Sequence, residues 1–114
     1  MTAYQNIVAA IKGFGYPYEP EVYRGDAKRY FAYNYADDRG DLFSDDAPEN
    51  NVASVQVHFV LPADEPFAKI KNQIRLALFR QGFTYPEVTH IIDQDNNIRQ
   101  IVFECEIEEE MEDM

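Results

Sequence analysis

The stretch SVQVHFVLPADEPFAKIKNQIRLALFRQG, Ser54 to Gly82, sets the fold class. Val55, Val57, Phe59 and Leu61 alternate with Ser54, Gln56, His58 and Val60, the period of a strand with one buried face. Pro62 stops that strand. A helical period follows: Phe67, Ile70, Ile74 and Ala77 form one stripe, joined by Leu78. Asp64 or Glu65 is placed to cap this helix, with Pro66 in its first turn. Lys69, Lys71, Arg75 and Arg80 lie mainly off the stripe. Arg80 suits the negative helix C-terminus, and Gly82 the left-handed stop.

Upstream, Ile7, Ala10, Ile11 and Phe14 share one face of a short first helix that Thr2 is placed to cap. Gly13, Gly15 and the pair Tyr16-Pro17 end it. A brief strand is read at Val22–Arg24, a turn at Gly25-Asp26, and a longer aromatic strand over Lys28–Tyr35. In that strand Phe31, Tyr33 and Tyr35 share one face; Tyr30, Ala32 and Asn34 share the other. The segment from Ala36 to Asn51, ADDRGDLFSDDAPENN, reads as a long mobile loop rich in Asp, Gly, Pro and Asn. Its Leu42 and Phe43 are out of place in a solvated loop and suit a docking one. We therefore take Asp37, Asp38, Arg39, Asp41, Leu42, Phe43, Asp45 and Asp46 as a candidate contact surface.

Downstream, Val88–Asp93 and Arg99–Glu108 read as a hairpin turning at Gln94–Asn97. Ile101, Phe103, Cys105 and Ile107 face one way. Gln100, Val102, Glu104, Glu106 and Glu108 face the other. Glu104, Glu106 and Glu108 form a candidate acidic surface. The run EEEMEDM is expected to fray. The element order is α-β-β-β-α-β-β: an α+β domain over residues 1–109, with a mainly antiparallel sheet, helices packed on one face, and a flexible acidic tail at 110–114.

Charge narrows the function classes. The chain has 114 residues, 21 Asp and Glu against 10 Lys and Arg, and a formal net charge of −11. That is the wrong sign for gripping nucleic acid or an anionic membrane. No apolar run approaches the roughly 20 residues that span a bilayer. The start, MTAYQNIVAAIKGFGY, has no secretory pattern, and the single cysteine fits a reducing cytoplasm. The single Cys105 excludes an intrachain disulfide and sits on an apolar strand face, where a buried thiol is ordinary.

Several constellations resemble sites and lack a requirement. Asp93, Asp95, Asn97 and Glu104 match positions 1, 3, 5 and 12 of an EF-hand loop. Ile98 stands where that loop needs glycine, and a strand follows where it needs a helix. His58, His90 and Cys105 have no zinc-like spacing, and both histidines are read on the more polar faces of their strands. Arg39-Gly40-Asp41 is an integrin-type tripeptide by chance. Gly13 and Gly15 lack the strand-before-helix context of a phosphate cradle. The tyrosines lack the basic groove of a base-stacking platform and suit sheet packing and a subunit interface. No catalytic residue, metal or cofactor is expected.

The stretches GYPYEPEVYRG, YFAYNY, VQVHFVLPADEPF, GFTYPEV and IVFECEIEEE together resemble the small tail-completion and tail-terminator proteins of siphophages and prophages, from about Gly15 to Glu109. The resemblance implies a non-enzymatic protein that forms a ring, often a hexamer, at the head-proximal end of the tail tube. There it ends tube growth and helps to join the head, with DNA passing through the hole. Its partners would be further copies of itself, tail-tube proteins and head-connector proteins, with no specific grip on nucleic acid. It would reside in the host cytoplasm during assembly and in the virion tail afterwards. Glu104, Glu106 and Glu108 would then contribute to a negative channel lining. The competing reading is a small acidic adaptor or regulator that binds a basic partner.

Overall fold

The computed structural model describes residues 1–44 and 47–110. Helix α1 spans Ala3–Ile11 and continues as a 3-10 turn, Lys12–Phe14. Thr2 caps it: its hydroxyl accepts the Gln5 N–H, and the Gln5 side chain accepts the Thr2 N–H, a reciprocal capping box. Gly15, at φ 85°, stops the turn. Strand β1 is Tyr18–Pro20, β2 Tyr30–Ser44 and β3 Ala47–Pro62. Helix α2 is Ala68–Gln81, β4 Glu87–Asp93 and β5 Ile98–Glu110. The strands form one sheet in the order β1-β2-β3-β5-β4. Its pairings are antiparallel except β1–β2, which is parallel. The fold is α+β with the expected element order.

The core lies between the helices and one sheet face. Ile7 and Ile11 of α1 and Ile74 and Leu78 of α2 meet Phe31, Val55, Val57, Phe59, Ile101 and Phe103, all essentially inaccessible to solvent. Phe31 and Phe59 pack at 4.7 Å between ring centroids, with Tyr16 at 5.3 Å from Phe59. These stripes are the ones that the alternation and the helical period pick out. Gly82 ends α2 at φ 116°, and Asn97, at φ 54°, closes the β4–β5 turn at Gln94–Asn97.

Four expectations need correction. First, Val22–Arg24 is no strand. The first strand lies earlier, at Tyr18–Pro20, and Glu21 at φ 67° turns the chain out of it. Tyr23 stacks on Tyr30 at 4.0 Å instead, and its ring occupies the space a Cβ on Gly25 would need. Gly25-Asp26 therefore joins no antiparallel hairpin. Second, α2 begins at Ala68, with Phe67 as its uncapped N-cap. Glu65 is drawn to Arg29 as an ion pair, and Asp64 accepts from Asn97 at 3.2 Å. Pro66 lies before the helix.

Third, the described part of the Asp-rich segment is strand. β2 and β3 pair from Tyr30↔Val60 out to Ser44↔Ala47, with one bulge between Tyr35 and Asp37. Asp45 and Asp46 lie outside the described residues. The ladder extends because β3 is held on its other side by β5 as far as Asn50↔Glu110. Backbone hydrogen bonds continue along such a ladder whatever the side chains are. Pro48 falls past the end of β5, where β3 becomes an edge and proline is tolerated. Since β1 and β4 stop well short of this end, the sheet narrows to three strands and then to a two-stranded arm. The molecule measures 54 × 25 × 25 Å, close to the roughly 50 Å that the 16 residues of β3 span alone.

Fourth, Glu108–Glu110 is paired strand rather than fraying tail. Glu109 is buried, and its carboxylate accepts the Ala3 N–H at the start of α1 and the Tyr35 hydroxyl at 2.7 Å. Residues 111–114 lie outside the described residues.

Ile74 and Phe103 are fully buried at the centre of their elements. Replacing either with alanine should lower the unfolding free energy by about 2–5 kcal/mol in denaturant titration. An unchanged midpoint would show that the core has been misplaced.

Candidate functional site

The sheet face away from the helices is largely polar, and its registers place Asp37, Glu104, Glu106 and Glu108 among their neighbours. One row runs Ala32, His58, Val102 and Thr89 across β2, β3, β5 and β4. The next runs Asn34, Gln56, Glu104 and Glu87. Beyond it come Asp37, Ser54 and Glu106, then Arg39, Val52 and Glu108.

His58 is the best-defined polar group of this face. Its Nε2 lies 3.2 Å from Asn34 Oδ1 and its Nδ1 lies 3.0 Å from Gln100 Nε2. An amide donating to Nδ1 and a carbonyl accepting from Nε2–H fit the neutral ring. Burial lowers the pKa of His58, opposed by the nearby Glu104 carboxylate. His90, expected on a polar face, instead lies on the helix-covered side. There its ring meets the Phe67 edge at 5.1 Å, and Arg99 lies over the same phenylalanine. Burial lowers its pKa as well, and Arg99 and Lys71 add to the effect.

The acidic surface is a ladder of like charges. Glu104, Glu106 and Glu108 alternate along β5, so their carboxylates lie on one face about 7 Å apart. Glu104 is exposed directly opposite Glu87 of β4, a cross-strand pairing of like charges that costs stability. Ser54 donates to Glu106 at 2.8 Å. Asp37 is exposed beside this row at the bulge. Asp38, Arg39, Asp41, Leu42 and Phe43 follow on the arm of β2. Through Asp37, the start of the first candidate surface thus adjoins the acidic row in the sheet.

The other constellations resolve into structural roles. Asp93 accepts from Asn96 through its backbone at 3.2 Å and its side chain at 2.7 Å, closing the hairpin turn. Those bonds hold the Asp93 carboxyl below the usual range. Glu104 stands opposite Glu87, six residues along the ladder from Asp93, roughly 20 Å away. No EF-hand geometry brings these groups together. Among the described residues there is no cluster of three or more His, Cys, Asp or Glu able to hold a metal. Cys105 is buried, and burial pushes its thiol up to about 12, where it is not a nucleophile. An open groove of about 530 Å³ at the turn end of the sheet runs between the Arg29–Glu65 pair and Asn97.

Sequence reasoning missed the exposed side of α2. It carries Leu76 and Phe79, exposed at 40% and 50%, with Tyr85 just beyond at 56%. Phe79 meets Tyr85 edge-on at 5.7 Å, and Arg75 stacks over Tyr85 at 4.3 Å while donating to the Pro86 carbonyl. The available signal was an apolar residue at positions 76 and 79, off the buried stripe. No helix of the described residues is long and apolar enough to cross a membrane. Comparison with known protein families finds no matching family, and comparison with curated proteins finds no matching relative.

With its folded pKa lowered below the ordinary 6.5, His58 binds fewer protons than in the unfolded chain just below that value. Its contribution to stability is complete above pH 6.5 and declines as pH falls toward the folded pKa. Denaturant titrations across this window should show a shallower pH slope for His58→Gln than for the native chain. An identical slope would exclude the buried neutral imidazole as its source.

Proposed function

We propose that this chain is a structural protein of a phage or prophage tail, which completes the tail tube and helps to join it to the head as a ring of identical copies. The single observation that carries the reading beyond resemblance is the β2–β3 arm. Its strands stay paired well past β1 and β4. Strands extended this far beyond the core contribute little to a solitary domain and give an assembling one a lever against its neighbours. The acidic net charge supports the reading physically. A conduit for DNA must not grip phosphates, and a wall carrying −11 per copy repels them. The outer side of α2 displays Leu76, Phe79 and Arg80, and aromatic rings and arginine are enriched where macromolecules meet.

In this reading the arm takes part in contacts with neighbouring copies or with the tube. Removing Leu42–Ala47 from its distal end should leave the thermal midpoint nearly unchanged, because the core lies elsewhere. In the phage that carries the gene, the shortened chain should yield unjoined heads and tails of uncontrolled length by electron microscopy. Normal infectivity with the shortened arm would contradict the assignment. A wild-type particle lacking this chain would favour the acidic adaptor instead.

A further inference from the structure

Helix α2 is electrostatically opposite to the rest of the molecule. Its 14 residues hold Lys69, Lys71, Arg75 and Arg80, four of the ten basic residues, and none of the 21 acidic ones. Its buried side, Ile74 and Leu78, faces the sheet. Its outer side therefore looks away from the sheet and presents Leu76 and Phe79 between Lys69 and Arg80. A groove of about 530 Å³ beside it is lined by Phe14, Ile70, Leu76 and Arg80. Exposed aromatic and aliphatic groups flanked by arginine are the composition of interface anchors.

We propose that this face of α2 docks onto the acidic outer sheet face, Glu104, Glu106 and Glu108, of a second copy of the chain. Charge complementarity selects that occupant. A basic, apolar patch on a strongly acidic protein finds its opposite in the carboxylate row of another copy. The same row disfavours meeting its own kind. Geometry then sets the symmetry. The helix layer and the acidic face lie on opposite sides of one sheet, so a contact using both cannot be self-complementary. It joins head to tail, and head-to-tail contacts close into rings or grow as filaments. A 54 × 25 Å face has room for the about 800 Å² per partner that stable interfaces bury. The proposal deepens the ring reading above and moves the carboxylate row from the conduit wall to the subunit boundary.

The test uses the purified chain and two variants. In one the helix is reversed, Lys69→Glu with Arg80→Glu. In the other the sheet is reversed, Glu104→Lys with Glu106→Lys. All four positions are on the surface, and circular dichroism with thermal melting verifies each fold. By sedimentation velocity over rising concentration at low salt, the native chain should associate beyond a dimer, and added salt should weaken that association. Each variant alone should associate roughly tenfold or more weakly. Mixed in equal amounts, the two should recover association. Each reversed helix then meets a reversed sheet, and each native helix meets a native sheet. Phe79→Ala, which leaves every charge in place, should also weaken association. A native chain that stays monomeric, a two-fold dimer that grows no further, or variants that associate undiminished would each overturn the proposal. These results come from purified protein, whereas the tail assignment is read in phage particles, so either can fail alone.

Discussion

Strand β3 is the element on which the rest of the structure depends. It pairs with β2 along one side and with β5 along the other, over nearly its whole length. Toward the helices it sends Val55, Val57, Phe59 and Leu61, the central part of the core. Toward solvent it sends His58, bridged to Asn34 and Gln100 on its two neighbours. A strand paired on both sides has its backbone groups satisfied without help from its side chains. That is why the ladder can run on past Val52 through Asn51 and Asn50.

The far end of the ladder is anchored as well. Glu109 on β5 accepts from Ala3 at the head of α1 and from Tyr35 on β2, while Tyr4 stacks on Tyr35 at 4.7 Å. Three elements distant in sequence meet at one buried carboxylate near the root of the arm. A carboxylate facing the exposed amides at a helix N-terminus is electrostatically favourable there. The tether gives the arm a fixed base.

What the sequence discloses is what local periodicity encodes. The alternation through Val55–Leu61, the helical stripe of Ile70, Ile74 and Leu78, the cap at Thr2 and the stops at Gly15 and Gly82 depend on near neighbours, and the structure contains all of them. The misread parts depend on distant partners. Asp-rich composition at Ala36–Asn51 signals a loop only until β5 is known to hold β3. Asp64 and Glu65 resemble helix caps until Asn97 and Arg29 engage them. Glu109 resembles a solvated tail residue until α1 comes into view. The Glu104–Glu106–Glu108 row was legible as one face. Its adjacency to Asp37, and the opposed basic face of α2, emerge only from the layering.

In the proposed ring, that layering links fold to assembly. A two-layer α+β domain has two different outer surfaces. In this chain one carries the concentrated positive charge and exposed rings, and the other carries a carboxylate ladder that includes a direct Glu87–Glu104 opposition. Like charges held face to face across strands are a cost that a partner of opposite charge would relieve. The most direct measurement is a reconstruction of the intact tail by electron cryomicroscopy, resolved well enough to trace this chain. The expected result is a ring of copies at the head-proximal end, with α2 of each against the outer sheet face of the next. Copies related by two-fold axes, or tails with no density for this chain, would contradict it.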